Sequence, residues 1–327
     1  MDEPLRNCRI CRALVDEEDL FCANCGAEVP HAEPQSIGRL AAAATTHNFT
    51  CSGCGASMSY DASAQSLRCP FCSSTEMQRQ VDAKSVAPQS VLPFAVDRRE
   101  AEAITRRWMS AGWLRPGDLA QTAIITKLAN VYVPYWVFRA RTHTYWTADT
   151  SRTPLGARGD WFPLTGEHRG LHQGVLVGAS GALTPAETQA LCPFPLEQAD
   201  EPAGVDLDNV IVELFSVPRK YARPLAQQGL EAIERAECDQ RYVPPRSRKV
   251  KVNTLLDGLS SRPMLLPVWI MAYRYKGSLF RVLINGSTGK LHGKRPISYT
   301  KIFAIAGAIA ALLLLILLCT GALTALV

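Results

Sequence analysis

The chain has 327 residues, 47% hydrophobic and 20% charged, with 35 Lys and Arg against 30 Asp and Glu. This excludes a disulfide miniprotein and a disordered chain, and it provides enough apolar material for a sizeable core. The net charge of +5 is unevenly spread: residues 1–80 hold six Arg, no Lys and ten acids, whereas eight bases and no acid follow Asp257.

The opening MDEPLRNCRI shows no basic segment leading into an apolar run, so no secretory leader is expected. Eight of the 11 cysteines fall in four CxxC pairs. In a reducing compartment that spacing points to metal rather than to disulfides. Residues 1–30 carry Cys8, Cys11, Cys22 and Cys25, and residues 48–80 carry Cys51, Cys54, Cys69 and Cys72, with a Pro/Ala/Thr linker at 31–47. Each CxxC grips one ion from a tight turn, and two turns complete a tetrahedral shell of four sulfurs. Gly26, Gly53 and Gly55 suit such turns. Units of about 30 residues with little core need a staple of this kind. Each set therefore predicts a zinc ribbon, and the chain two structural zinc ions. Iron fits the same four thiolates and stays open. A redox dithiol lacks its βαβ context, and four thiolates leave no coordination position for catalysis.

The first unit has three Arg against seven acids, including the run Asp16–Asp19. A zinc ion held by four thiolates adds about −2 more. Such a surface repels phosphate, so a protein partner is expected for the ribbons and nucleic acid is disfavoured. The runner-up is a membrane-tethered nucleic-acid-binding protein that uses Arg246, Arg248, Lys249 and Lys251 on phosphates.

Residues 81–300 read as an α+β domain, mainly antiparallel strands with a few helices. Residues 97–112 form a helix capped by Asp97, with Ala101, Ile104, Trp108 and Met109 in its apolar stripe. Residues 130–147 form a strand in which Trp136, Phe138 and Ala140 alternate with Arg139, Arg141 and His143. A short strand is expected at 170–179 and a loop at 185–204. A buried strand is expected within 206–217, with Glu213 paired to an arginine of the 139–141 strand. Residues 221–240 read as helix. Strand patterns return at 248–256 and 264–291, with turns at Lys276-Gly277 and Asn285-Gly286. VPYWVFRAR (133–141) and LPVWIMAYR (266–274) share an apolar-Pro-x-Trp pattern. That is either convergence of two apolar strands or a duplicated unit paired in one sheet, with Pro134 and Pro267 at strand starts. His168 and His172 stand about 13 Å apart on a strand, too far to chelate one ion, and read as exposed.

No phosphate-binding GxxxxGK[ST] loop, no strand-borne acidic box and no GxSxG elbow occurs, so no catalytic activity is expected. Residues 302–327 contain no charge, and about 20 such residues suffice to cross a bilayer core. They predict a C-terminal transmembrane helix at 301–327, a single-pass tail anchor in the cytoplasmic membrane. Lys290, Lys294, Arg295 and Lys301 would form its cytoplasmic border, with the domain in the cytoplasm.

The segments CSGCG…CPFC, VLPF, VYVPYWVF, LLPVWIMAYRYKG and VLINGSTGKLHGKRPISYTKI resemble a family of bacterial membrane-anchored TFIIB-type zinc-ribbon proteins. Its members are often labelled primosomal protein N′ (replication factor Y) helicase-like. The resemblance covers roughly residues 48–303. It implies cytoplasmic ribbons, an α+β middle domain, a membrane anchor, and adaptor work in a membrane-stress or flotillin-type scaffold. A motor is not implied, because helicase motifs are absent. The expected whole is a membrane-anchored zinc-ribbon adaptor.

Overall fold

A computed structural model describes residues 3–4, 6–15, 21–22, 24–29, 46–61, 68–80, 86–152, 155–156, 159–205, 207 and 210–324, with side chains of the last helix through Leu314. The linker expected at 31–47 lies almost wholly outside these residues, and the acidic run Asp16–Asp19 wholly outside. The first Cys-rich unit holds β1 (Glu3–Pro4), β2 (Arg6–Asn7) and β3 (Leu14–Val15). The second holds β4 (Thr46–Cys51), β5 (Ser57–Asp61) and β6 (Met77–Gln80). Then come β7 (Ser90–Val91), α1 (Arg98–Ser110), α2 (Leu119–Thr122), β8 (Ile124–Thr150), β9 (Phe162–Gly178) and α3 (Pro185–Leu191). The chain continues with β10 (Ile211–Glu213), α4 (Arg219–Glu237), β11 (Ser247–Tyr275), β12 (Ser278–Asn285), β13 (Leu291–Gly293) and α5 (Tyr299–Thr324).

Eleven strands form one sheet in the order β13-β12-β11-β8-β10-β5-β4-β6, with β1 and β7 also on β11 and β9 on β8. Its spine is the antiparallel pair β8–β11, which runs from Ser247↔Thr150 to Arg274↔Ile124. The strands are far longer than their apolar patterns indicate. A bulge between Leu256 and Gly258 carries β11 through the stretch that separates its two strand patterns. The Lys276-Gly277 turn has both residues at positive φ, the conformation a tight hairpin requires.

The two Pro-x-Trp segments occupy equivalent places in a pseudo-two-fold arrangement. Pro134 falls where β8 passes from β10, paired at Tyr132, to β9, paired from Tyr135. Pro267 falls where β11 passes from β7, paired at Leu265, to β12, paired from Val268. Both prolines are mid-strand, not at strand starts, and each missing N–H falls at a handover between neighbours. The Trp136 indole N–H donates to Val217 O at 2.8 Å, and that of Trp269 to Val96 O at 2.8 Å. Each carbonyl immediately precedes a helix N-cap, Pro218 for α4 and Asp97 for α1. Phe215 packs at an angle of 59° against Trp136 at 5.2 Å, as Phe94 does at 65° against Trp269 at 5.3 Å. Ala179 N–H donates to Pro134 O and Gly286 N–H to Pro267 O. The short strand of each half pairs in parallel with the long strand of the other. Convergence of two apolar strands would not repeat this whole bonding pattern, so a duplicated and intertwined β–α unit is the better account.

α1 and α4 cover one face of the sheet. Trp269, Met271 and Tyr273 lie under α1, and Trp136, Phe138 and Ala140 under α4. The second Cys-rich unit and α3 cover the other, with Val131, Val133, Tyr135, Met264, Leu266 and Val268 beneath them. α1 begins at its expected cap, where Asp97 Oδ1 accepts Glu100 N–H at 2.7 Å. α3 lies where a loop was expected. Its start is a capping box between Thr184 and Glu187, a local signal hidden in a proline- and acid-rich run.

The C-terminal expectation is corrected. Among the described residues no helix is long and apolar enough to cross a membrane. The part of α5 with described side chains begins Tyr299-Thr300-Lys301, which places a charge and two hydroxyls in its first turn. The fold is therefore α+β with two four-cysteine groups, without the expected transmembrane helix at 301–327 or the single-pass membrane localisation drawn from it. Of the four basic residues assigned to the membrane border, Lys290, Arg295 and Lys301 donate to backbone carbonyls of the chain, and Lys294 contributes its own carbonyl. Lys290 donates to Cys192 O, Lys301 to Trp113 O at 3.0 Å and Arg295 to Ala111 O at 3.1 Å, while Lys294 O accepts the Tyr273 hydroxyl at 3.2 Å. The Arg295 guanidinium also lies over the Trp108 ring at 4.3 Å.

Candidate metal centres

Each cysteine pair is carried on the same backbone turn. The first cysteine's carbonyl accepts the N–H four residues on, and its N–H donates to the carbonyl five residues on. The pairs are Cys8 with Arg12 and Ala13, Cys22 with Gly26 and Ala27, Cys51 with Gly55 and Ala56, and Cys69 with Ser73 and Ser74. This geometry forces positive φ on the residue after the second cysteine: 60° at Arg12, 71° at Gly26, 77° at Gly55 and 63° at Ser73. Glycine occupies that conformation without penalty, and a side chain costs roughly 1–2 kcal/mol there. Ser73→Gly is accordingly expected to raise the stability of the metal-loaded protein by up to about 1 kcal/mol, seen as a higher thermal midpoint.

The turns bring four sulfurs together twice. Cys8, Cys11, Cys22 and Cys25 form one group and Cys51, Cys54, Cys69 and Cys72 the other, all ligand atoms within 4.8 Å of one another in each. Cys8–Cys25 and Cys11–Cys22 stand 3.6 Å apart, and Cys51–Cys72 and Cys54–Cys69 3.5 Å. A disulfide would close to about 2.05 Å. A tetrahedron with Zn–S near 2.3 Å puts sulfurs about 3.8 Å apart. The donor set and spacing thus fit a tetrahedral thiolate metal, and the two four-cysteine groups could each hold an ion. Ile10 N–H points at Cys8 Sγ from 3.4 Å. The Ala13 N–H and the Asn24 side chain hold the Cys11 thiol down to about 6, and the Cys69 thiol holds Cys54 down to about 5, while the thiols opposite rise, Cys25 to about 12 and Cys69 well above its ordinary value, as neighbouring thiols sharing their protons must. A bound metal would take the place of those shared protons.

The two centres differ in setting. Among the described residues the first packs on its own small cluster with Val15 and Val29, and Ile10 and Phe21 stand 75% and 61% exposed. The second is part of the main core: Cys51 and Cys69 are buried with Met58, Tyr60 and Phe71 against Tyr135, Leu191 and Leu283. β5 also pairs with β10 at Val212↔Ser59, which joins this centre to the main sheet.

Glu213 lies beside this junction. It is fully buried, and its partner is not an arginine. Oε1 accepts the Ser180 hydroxyl at 2.7 Å, Gly181 N–H at 2.9 Å and Ala182 N–H at 3.3 Å, while Oε2 has no partner among the described residues. Burial pushes its carboxyl up to about 7 despite these donors.

A second buried carboxylate was not anticipated. α4 turns Ala222, Ala226, Leu230 and Glu234 inward at four-residue spacing, and Cys238 just past its end continues the row. Glu234 meets the sheet between His168 and His172, which are not exposed strand histidines. His168 Nε2 lies 2.7 Å from Oε2 and His172 Nε2 2.5 Å from Oε1. Thr144 donates to Oε2 at 2.9 Å and Thr142 to Oε1. An ionised carboxylate only accepts, so both rings present Nε2–H. Gly170 makes room, because a Cβ there would stand 2.5 Å from Glu234 Oε1. Burial raises the Glu234 carboxyl, and the donors led by Thr142 outweigh it and hold the group at about 2. The histidines bracket one carboxylate rather than one ion.

The comparisons add little chemistry. No protein-family model matches the chain, and no solved structure matches it. It is 26% identical over 227 residues, 67% of either chain, to YdjG of Bacillus subtilis strain 168, described as an uncharacterized protein.

Proposed function

We propose that the chain is a non-catalytic adaptor in which both four-cysteine groups hold structural zinc and the first ribbon docks a partner protein. The observation that carries this reading is the exposed apolar pair Ile10 and Phe21 on a unit whose four sulfurs could together hold one ion. Four thiolates on one ion would leave no position for substrate, and large exposed apolar side chains on a small unit suit protein contact. The unit's acidic sequence favours a partner with a basic surface. Affinity purification of the full chain beside an Ile10→Asp/Phe21→Asp variant tests this. The variant is expected to keep two metal ions and lose its specific partners. An identical set of partners from both proteins would overturn the docking role.

A further inference from the structure

Beyond the cover of the second ribbon, β9, β8 and β11 continue as an arm, with β1 on the outer side of β11 at Ser260 and Ser261, the row of Arg139 and Phe138. One face of the arm lies under α4. The opposite face presents Arg139, Arg141, His143 and Tyr145 from β8, Arg169 from β9 and Lys251 from β11. The four cations are exposed and have no carboxylate partner among the described residues. The acids nearby are largely engaged. Glu167 Oε2 lies 3.0 Å from His143 Nε2, and Asp149 is held by Arg248 and Lys249 at 3.5 Å each, leaving Asp257 at the bulge. Arg248 and Lys249, two of the phosphate contacts expected from sequence, are thus occupied at the tip.

The face also offers flat surfaces. The His143 and Tyr145 rings pack at 4.4 Å, joined by a 3.1 Å hydrogen bond from the tyrosine hydroxyl to Nδ1. The Arg141 guanidinium lies across Gly258, with Nη2 3.4 Å from where a Cβ would stand. Leu171 and Leu255, 54% and 53% exposed, border the Arg141 and His143 rows. An open sheet with aromatic and guanidinium planes among unneutralised cations suits unpaired bases on a phosphate backbone. An acidic peptide would use the charges alone and leave the aromatic and guanidinium planes without a role.

We propose that this face binds single-stranded nucleic acid, with Arg139, Arg141, Arg169 and Lys251 on phosphates and the His143–Tyr145 pair stacking a base. The site is separate from the ribbons and goes beyond the adaptor reading. Fluorescence anisotropy on the full-length, metal-loaded chain tests it, using labelled oligo(dT) and oligo(rU) of about 16 nucleotides and a duplex of equal length. The single strands are expected to bind more tightly than the duplex. Four phosphate contacts predict a slope of log K against log salt near −3. Arg141→Ala/Arg169→Ala should weaken binding by about tenfold or more and flatten the slope by about 1. Arg141→Lys/Arg169→Lys should retain the slope and guards against misfolding. Tyr145→Ala should weaken binding without changing the slope, and Arg99→Ala on α1 should change neither. A stronger oligo(rU) or oligo(dT) signal distinguishes RNA from DNA as ligand. No binding at about 50 mM salt would overturn the proposal. So would affinity unchanged in the double alanine variant, or binding of an acidic peptide alone.

Discussion

Serine at Cys51 is expected to leave one metal ion per chain and to lower stability by more than about 4 kcal/mol, whereas serine at Cys8 should remove the other ion and leave the main unfolding transition nearly in place. The asymmetry follows from where each centre's sulfurs lie. Cys51 and Cys69 belong to the same buried cluster as Tyr135, Leu191 and Leu283, and β5 is hydrogen-bonded to β10 of the main sheet. Losing that metal releases a wall of the core and exposes apolar surface on both sides. Among the described residues the first centre packs on Ala13, Val15, Ala27 and Val29, and the first unit joins the main sheet through the short β1 pairing at Glu3↔Ser261 and Pro4↔Ser260. All six tryptophans lie outside the Cys-rich units, so their fluorescence follows the body of the protein in a denaturant titration. Metal analysis of the same samples gives the ion count. Equal shifts for the two variants would show that the second centre is not integral to the core.

The cysteine pairs were legible in the sequence because CxxC turns are local. The four residues fix the turn, and the turn fixes the sulfurs. The α1 cap at Asp97 and the alternation of Trp136, Phe138 and Ala140 with Arg139 and Arg141 were legible for the same reason. The merging of the second ribbon with the main sheet was not, because it rests on the three-residue strand Ile211–Glu213, whose pairing with Met58 and Ser59 spans about 150 residues of chain. The duplication was half legible. VPYW and LPVW could be matched by eye, but FAVDRR (94–99) and FSVPRK (215–220) gain meaning only when both tryptophans are seen bonded to the valine carbonyls of those segments. The C-terminal apolar run suggested a span on composition alone, and among the described residues no helix is long and apolar enough to be one.

The histidine pair shows a different limit. A distance of about 13 Å rules out one shared ion, yet a carboxylate offers two oxygens and reaches between the rings on its own side chain. Nothing near His168 in sequence marks Glu234 as its partner, 66 residues away. The clue available was Gly170, a residue without a side chain midway between two histidines on one strand face.

Glu234→Gln is the variant for which this arrangement predicts the largest effect from a single isosteric change. The amide keeps the shape but must turn one NH2 toward donors, since two threonine hydroxyls and two imidazole N–H groups converge on it. Leaving buried donors unsatisfied costs about 1–3 kcal/mol each, so the loss should reach about 3 kcal/mol. Because α4 is held to β8 and β9 through this carboxylate and the neighbouring Leu230 and Ala226, the helix should loosen first, seen as faster amide exchange along 219–237. The pH dependence follows from the depressed carboxyl. The native group sits at about 2 against an ordinary value of 4.5, so its contribution is fully present above about pH 4.5 and is lost as pH falls toward 2. Wild type should therefore lose stability across that window more steeply than Glu234→Gln, which has no proton to take up there. Parallel acid titrations of the two proteins, with the same slope between pH 4.5 and 2, would show that Glu234 is not held ionised by its four donors.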